Sequence, residues 1–357
     1  MKKISIYDKL QRAKRKRDVD YPIDFVIPWV DGSDPVWRER KNQCLGLPTS
    51  DGRENRYKDW GLLQYWFRGV EKFAPWVRYV WFICDQEPPK WLNREHPKLK
   101  IVRHEDYLPE EYRPAFSANP IELNLHRIEG LSERFVYFND DTFLLKPVEK
   151  CFFFKKGLPC DSAVMNPVPT DTIAKNGPGT RAFTYYQTSA EYLNRDYDFH
   201  TCVKKNITKW LSPCYGTDMI RNLLLLAWPR FVGFAEDHMP NAYMKSSFSK
   251  AWEQDFDILD ATSRHHIRDD SDVNQWFIRI RQLAEGEFIP RKRQKECNFN
   301  IYKDEAQMHR MIREQMKPMI CLNDTRVLEE SMFCRLRNKL IKDFESILPE
   351  RSGFEKE

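Results

Sequence analysis

The sequence predicts an α/β fold, a doubly wound and mostly parallel sheet followed by an irregular, helix-rich C-terminal half. Three observations carry this. Short apolar runs rich in Val, Ile, Phe and Tyr alternate with helix-period segments from residue 24 to residue 138, the pattern of successive βα units. Each run ends on polar turn residues, as strands do when they open onto the rim of such a sheet. The chain of 357 residues is 41% hydrophobic with 23 Phe and 11 Trp, enough to fill a large core.

In order, "DFVIPWV" (24–30) reads as the first strand, delivering Asp31-Gly32-Ser33-Asp34-Pro35 as a turn. Residues 36–58 are polar and read as loop or partial helix. "DWGLLQYWFRGVEKF" (59–73) has apolar residues at 62, 63, 66, 67 and 70, a helical spacing that Pro75 stops. "VRYVWFICD" (77–85) and "LKIVRHED" (99–106) are the second and third strands. "PIELNLHRIEGL" (120–131) reads as one helix with proline at its first position, and "RFVYFND" as the fourth strand. Beyond it the pattern loosens: "CFFF" (151–154) reads as an edge strand, residues 165–200 as long loops with short helices, and "GTDMIRNLLLLAW" (216–228) as a helix. Residues 241–285 read as helical stretches, 286–298 as a basic linker, and 304–346 as further helices around "MICLNDT". The predicted organisation is a basic tail (1–20), an α/β half (21–150) and a helical and loop elaboration (151–357) that completes the same domain. There is no internal repeat and no low-complexity segment.

Composition excludes several classes. With 22 prolines against 13 glycines, the chain carries neither GxGxxG nor GxxxxGK[ST]. No apolar run approaches the roughly 18 residues that span a bilayer, and the N-terminus lacks an apolar segment after its charges, so a non-secreted, cytoplasmic chain is expected. Nine scattered cysteines, none spaced CxxC, fit reduced thiols better than a disulfide frame or a zinc site. Eight of the 58 basic residues lie within the first 17 positions, ending in Lys14-Arg15-Lys16-Arg17. That stretch suits an amphipathic helix on an anionic membrane surface, at the inner face of the cell membrane, and equally a solvated tail. No nucleic-acid reader motif accompanies it, so no nucleic-acid partner is expected.

Chemistry concentrates at the strand ends. Asp140 and Asp141 follow the fourth strand, where adjacent carboxylates repel unless a cation sits between them, and oxygen ligands favour Mg²⁺ or Mn²⁺. Capping of the next turn is the structural alternative. Asp31 and Asp34 hold the same place after the first strand, with an ordinary Asp turn as the alternative there. Parallel strands would bring both pairs to one rim. Glu122, His126 and Arg127 share the 120–131 segment, the first two spaced i and i+4. His238, in the loop "EDHMPNAYMKS", is the expected general base, and Arg268, in "SRHHIRDDSDVNQ", suits a diphosphate by charge and planar shape.

These motifs together, "DFVIPWVDGSDPVW", "APWVRYVWFICDQEPPKWL", "FSANPIELNLHRIEGLSERFVYFNDDTFL", "EDHMPNAYMKS" with "TSRHHIRDDSDVNQ", and "KPMICLNDT" followed by "ILPERSGFE", resemble the Stealth family in identity and order. That family includes bacterial capsular polysaccharide phosphotransferases and the eukaryotic N-acetylglucosamine-1-phosphotransferase of lysosomal enzymes. The resemblance implies a Rossmann-like, glycosyltransferase-A-like core and a divalent metal. It also implies transfer of a hexose-1-phosphate, of N-acetylhexosamine type, from a UDP-sugar to an oligosaccharide or polysaccharide hydroxyl with release of UMP. By motif position it implies Asp34, Asp140, Asp141, His238 and Arg268 as functional residues, with Asp31, Asn119, Glu122, His126 and Arg127 lining the site. One departure is Leu62-Leu63-Gln64-Tyr65, where relatives often read Glu-Leu-Arg-Tyr. The compact length points to the bacterial, capsule-making branch. The rival readings are a conventional glycosyltransferase releasing UDP and a non-catalytic carbohydrate-binding module.

Overall fold

A computed structural model of the chain describes residues 21–46, 59–167, 180–324 and 328–356. The basic tail and its expected membrane helix lie outside the described residues. Four parallel strands form the core of the main sheet: β1 (Asp24–Pro28), β2 (Val80–Ile83), β3 (Leu99–Val102) and β4 (Arg134–Tyr137), in the order β3-β2-β1-β4. β8 (Asn241–Met244) adds antiparallel to the free edge of β4, with Tyr137 opposite Asn241 and Arg134 opposite Met244. Two small sheets flank it, β10 (Asn298–Asn300)-β11 (Met319–Asn323)-β5 (Thr142–Leu144) and β6 (Phe154–Lys155)-β7 (Leu158–Asp161)-β9 (Ile289–Pro290).

The apolar runs become strands because both of their faces are covered, as a parallel sheet requires. Phe25, Ile27, Phe82 and Val136 point to one side, under the helices Leu63–Phe73, Glu305–Arg313 and Glu330–Ile347. Val26, Trp81, Phe135 and Tyr137 point to the other, under Ala118–Leu123, Lys245–Gln254, Phe256–Arg264 and Gln275–Glu285. Leu62, Leu63 and Tyr65 of the departing motif lie in the first of these cores. A third cluster, around Phe199, Trp210, Phe231 and Phe234, packs on Ile280 and Leu283 and holds the excursion between β7 and β8.

Several expected elements differ. Pro35–Leu45 is a full helix, because Asp34 caps it, Pro35 starts it and Gly46 ends it at φ 60°. "CFFF" is no strand: Lys150–Phe153 forms a helical turn and only Phe154 enters β6. Within 165–200 lies the 17-residue helix Thr180–Asp196. Residues 241–244 are a strand, the "basic linker" contains β9, and "MICLN" is β11. The 120–131 helix is shorter and starts earlier. It runs Ala118–Leu123 and breaks at Asn124, whose buried amide donates to Pro120 O at 2.9 Å and to Ser263 Oγ at 3.1 Å, before a short 3-10 turn at Leu125–Arg127.

Candidate active site

Four segments meet beyond the carboxyl ends of β1 and β4. β1 delivers Asp31. β4 delivers Asn139-Asp140-Asp141, whose tight turn is closed by Thr142 N and Oγ1 donating to Asn139 O at 3.1 and 2.8 Å. Because β8 runs antiparallel to β4, the residues just before it, Glu236 to Pro240, return to this same rim. β11 pairs with β5 through Cys321 opposite Thr142, and Leu322 N donates to Asp141 O at 2.8 Å, which lays Cys321 beside Asp141.

At the centre, His238 Nε2 stands 3.4 Å from Asp141 Oδ2 and 3.5 Å from Asn139 Nδ2. Cys321 Sγ lies 3.4 Å from the same Asp141 oxygen. Asp141, His238 and Cys321 each offer one ligand atom, all within 4.8 Å of one another. Asp141 Oδ1 is buried and has no hydrogen-bond partner. Asp24, at the opposite rim, shows the contrast: it accepts from Arg78 at 2.8 and 2.6 Å, from Trp81 Nε1 at 2.8 Å and from Ser132 N at 2.9 Å. An acid satisfied by the fold is structural; one left with an open oxygen is available to a ligand.

The electrostatics follow from crowding. Asp140 is exposed, yet the protein around it and then Asp141 push its carboxyl up to about 7, with Asp59 adding and Arg268 opposing. Asp59 is raised in turn by its surroundings, with Asp31 contributing. Asp31, Asp59, Asp140 and Asp141 therefore share one field. Burial raises Glu122 to about 8 against the pull of Arg268, the Tyr137 hydroxyl and His238. For His238, burial favours the neutral ring, but Asp141, Glu236 and Glu122 outweigh it and raise its pKa.

Arg268 is exposed and makes no hydrogen bond or ion pair with any described residue, while its charge is felt at Glu122, Asp140 and Tyr185. Its loop is held by buried Asp272, which accepts from Asp269 N at 2.9 Å and from Asn119 Nδ2 at 2.8 Å and faces His265 Nδ1 at 2.6 Å. Asn119 thus helps to anchor the loop that carries Arg268. Asp34 is committed to the fold, accepting from Val36 N at 2.9 Å and from Gln86 Nε2 at 3.0 Å. Gln86 also clasps the Asp31 backbone, accepting from its N at 2.7 Å and donating to its O at 2.9 Å.

His126 and Arg127 are not brought to this rim. With the helix broken at Asn124, Glu122 points to the site and His126 to the other edge of the sheet, against Phe248 and Trp252 and near Lys245, which follows the far end of β8. Arg127 lies over Trp252 at 4.9 Å and donates to Asn124 Oδ1 at 2.9 Å. Burial, then Arg127 and Lys245, lower His126 from 6.5 to about 3. A base depressed on folding binds its proton more readily unfolded, so stability is lost as pH falls below 6.5 toward 3. His126→Phe is expected to recover on the order of 1–3 kcal/mol at the acid end and to move the acid-unfolding midpoint, followed by circular dichroism, to lower pH. An unmoved midpoint would refute this.

Sequence reasoning missed Asp59, Glu236, Asp272 and Cys321. Asp59 follows a polar stretch with no strand end to mark it, and Glu236 and Asp272 lie among other acids. Cys321 was legible only if "MICLN" had been read as a strand beside the Asp140-Asp141 turn.

Fold and site together define an α/β protein with a cluster of titratable groups at the carboxyl rim of its sheet. Residues 21–47 match Stealth protein CR1, conserved region 1, and residues 56–160 match Stealth protein CR2, conserved region 2. Similarity extends over nearly the whole chain in individual relatives. The capsular polysaccharide phosphotransferase WcwK of Streptococcus pneumoniae is 35% identical, over 94% of this chain and 98% of its own. The receptor polysaccharide phosphotransferase WefC of Streptococcus oralis is 35% identical, over 93% and 99%. The exopolysaccharide phosphotransferase cps2G of Lactiplantibacillus plantarum is 34% identical, over 94% and 97%. The chain belongs to the Stealth family.

Proposed function

We propose that the protein is a phosphotransferase of capsular or exopolysaccharide synthesis that moves a hexose-1-phosphate, of N-acetylhexosamine type, from a UDP-sugar to a sugar hydroxyl of a growing glycan and releases UMP. The single observation that supports this reading is His238 beside Asp141, with Arg268, which pairs with no described residue, near enough for its charge to be felt at Asp140 and Glu122. The relatives' names support the reaction class and the polysaccharide acceptor.

The residues present leave room for a divalent cation, because Asp141 Oδ1 is without a hydrogen-bond partner and Asp141 lies in one cluster with His238 and Cys321. Asp140 and Asp141 would hold Mg²⁺ or Mn²⁺, which when bound supplies charge neutralisation to the donor's diphosphate. The chain's own residues do the rest. The acceptor hydroxyl attacks the sugar-side phosphorus and gives its proton to His238 Nε2, which lies 3.4 Å from Asp141 Oδ2 and 3.5 Å from Asn139 Nδ2. Asp141 stabilises the resulting imidazolium. The new oxygen–phosphorus bond forms as the bond to the bridging oxygen breaks, and UMP leaves with its new charge facing Arg268. The bond between sugar and phosphate oxygen is untouched, so the anomeric configuration is retained. In this reading Asp31 and Glu122 line the donor pocket, Asn119 positions Arg268, and Asp34 acts by fixing the Asp31 loop. His126 and Arg127 have no part in it.

The nucleotide product tests this directly. Incubation with a panel of UDP-sugars and a capsule-type oligosaccharide is expected to yield UMP, with a phosphodiester resonance in the phosphorus NMR spectrum of the glycan. Release of UDP would establish a conventional glycosyltransferase instead. No helix of the described residues is long and apolar enough to cross a membrane.

A further inference from the structure

The excursion between β7 and β8 carries a surface that the reaction does not use. In the Asp218–Leu225 helix, Asn222 faces inward, donating to Ala163 O at 2.8 Å and Trp210 O at 2.7 Å and accepting from Met165 N at 2.8 Å. Leu225 and Leu226 pack beneath it on the Phe231 and Phe234 cluster. The opposite face leaves Ile220 57%, Leu223 47% and Leu224 74% exposed, and Trp228, just past the helix, 57% exposed. Positions 220, 223 and 224 form the i, i+3, i+4 stripe that ordinarily meets a core. Here it meets solvent, and a contiguous apolar face of this kind marks an interaction site.

The charge around it says what would cover it. From Phe199 to Ala235 the chain has Lys204, Lys205, Lys209, Arg221 and Arg230 but a single acid, Asp218. That acid is 6% exposed and bound to Lys295 at 2.7 Å, whereas Lys204, Lys205 and Arg230 are exposed. An apolar stripe with a tryptophan, flanked in the chain by Arg221 and Arg230 and by one acid that is itself buried, has the composition of a helix that lies in an anionic membrane interface. A second copy of the chain would bring like charges face to face across the same patch.

We propose that this face docks on an anionic bilayer, with Ile220, Leu223, Leu224 and Trp228 entering the headgroup boundary and the lysines and arginines meeting lipid phosphates. The inference does not depend on the reaction chemistry. It would set the bilayer close to the catalytic rim, since Asp218 is linked through Arg293 to Asp237, the neighbour of His238.

The test is co-sedimentation of the full chain with phosphatidylcholine vesicles, with and without phosphatidylglycerol, for the parent and the double variant L224S/W228S. Both residues are exposed, so the variant should keep its thermal unfolding profile. The parent is expected to bind only the vesicles containing phosphatidylglycerol, and the variant to bind them on the order of a hundredfold more weakly. A loss smaller than about tenfold overturns the proposal, assigning membrane contact to another segment such as the basic N-terminus. So does a parent that ignores both vesicles, or one that sediments as a dimer which the double variant dissolves, since a second copy then covers the face.

Discussion

His238→Ala is expected to lower turnover by roughly 10²–10⁴-fold while leaving the donor dissociation constant nearly unchanged. The reason is geometric. His238 Nε2 lies 3.4 Å from Asp141 Oδ2, and its basicity is raised by the three carboxylates around it. A group that acts only while the acceptor hydroxyl loses its proton contributes to the barrier and not to donor binding. One complication can be separated. His238 has a φ of 52°, in the left-handed region, where alanine costs about 1 kcal/mol and asparagine is better tolerated. His238→Asn therefore keeps the backbone while removing the base, and should be as inactive as the alanine variant. Initial rates of UMP release with donor affinity from calorimetry would check both. Near-parental rates in either variant would remove His238 from the chemistry.

Arg279→Met is expected to destabilise the fold by about 3–5 kcal/mol, seen as a lower urea midpoint. Arg279 is buried and donates to both oxygens of Asp161 at 2.7 and 2.8 Å and to Glu236 at 2.9 Å. Methionine fills similar volume but leaves the largely buried Asp161 and Glu236 carboxylates without the cation they share. Glu236, whose carboxyl burial already pushes up, also accepts from His238 N at 3.1 Å, so its displacement would reach the base. Lysine should rescue only in part, because one ammonium group cannot reproduce the two-pronged contact with Asp161 and the third contact with Glu236. A methionine variant with the parental midpoint would show that this network is not a structural requirement.

The four parallel strands were legible because each is a mostly apolar run closed by polar residues, a pattern that depends on local sequence alone; β1, β2 and β4 are buried on both faces, while β3 at the edge exposes Lys100. β8 was not, since Asn241-Ala242-Tyr243-Met244 is four residues with no alternation, and it becomes a strand only because the edge of β4 is open to it. The acids at 31 and 140–141 could be placed on one rim from strand polarity. What distinguishes them could not: Asp34 is spent on a helix N-terminus and on Gln86, 52 positions away, whereas Asp141 keeps an oxygen free. The Glu122 and His126 spacing suggested a shared helix face. Asn124 overrode it by bonding to Ser263, 139 positions away in the chain. Partners that distant decide local geometry without leaving any mark in local sequence.

The antiparallel return of β8 also limits how the gene can be cut. A fragment ending near residue 160, where the second conserved region stops, would keep four strands of the sheet but strip β4 of its neighbour and β5 of β11. Two rows of unpaired amides and carbonyls would then invite pairing between molecules, and such a piece should accumulate as insoluble material and not as a miniature enzyme.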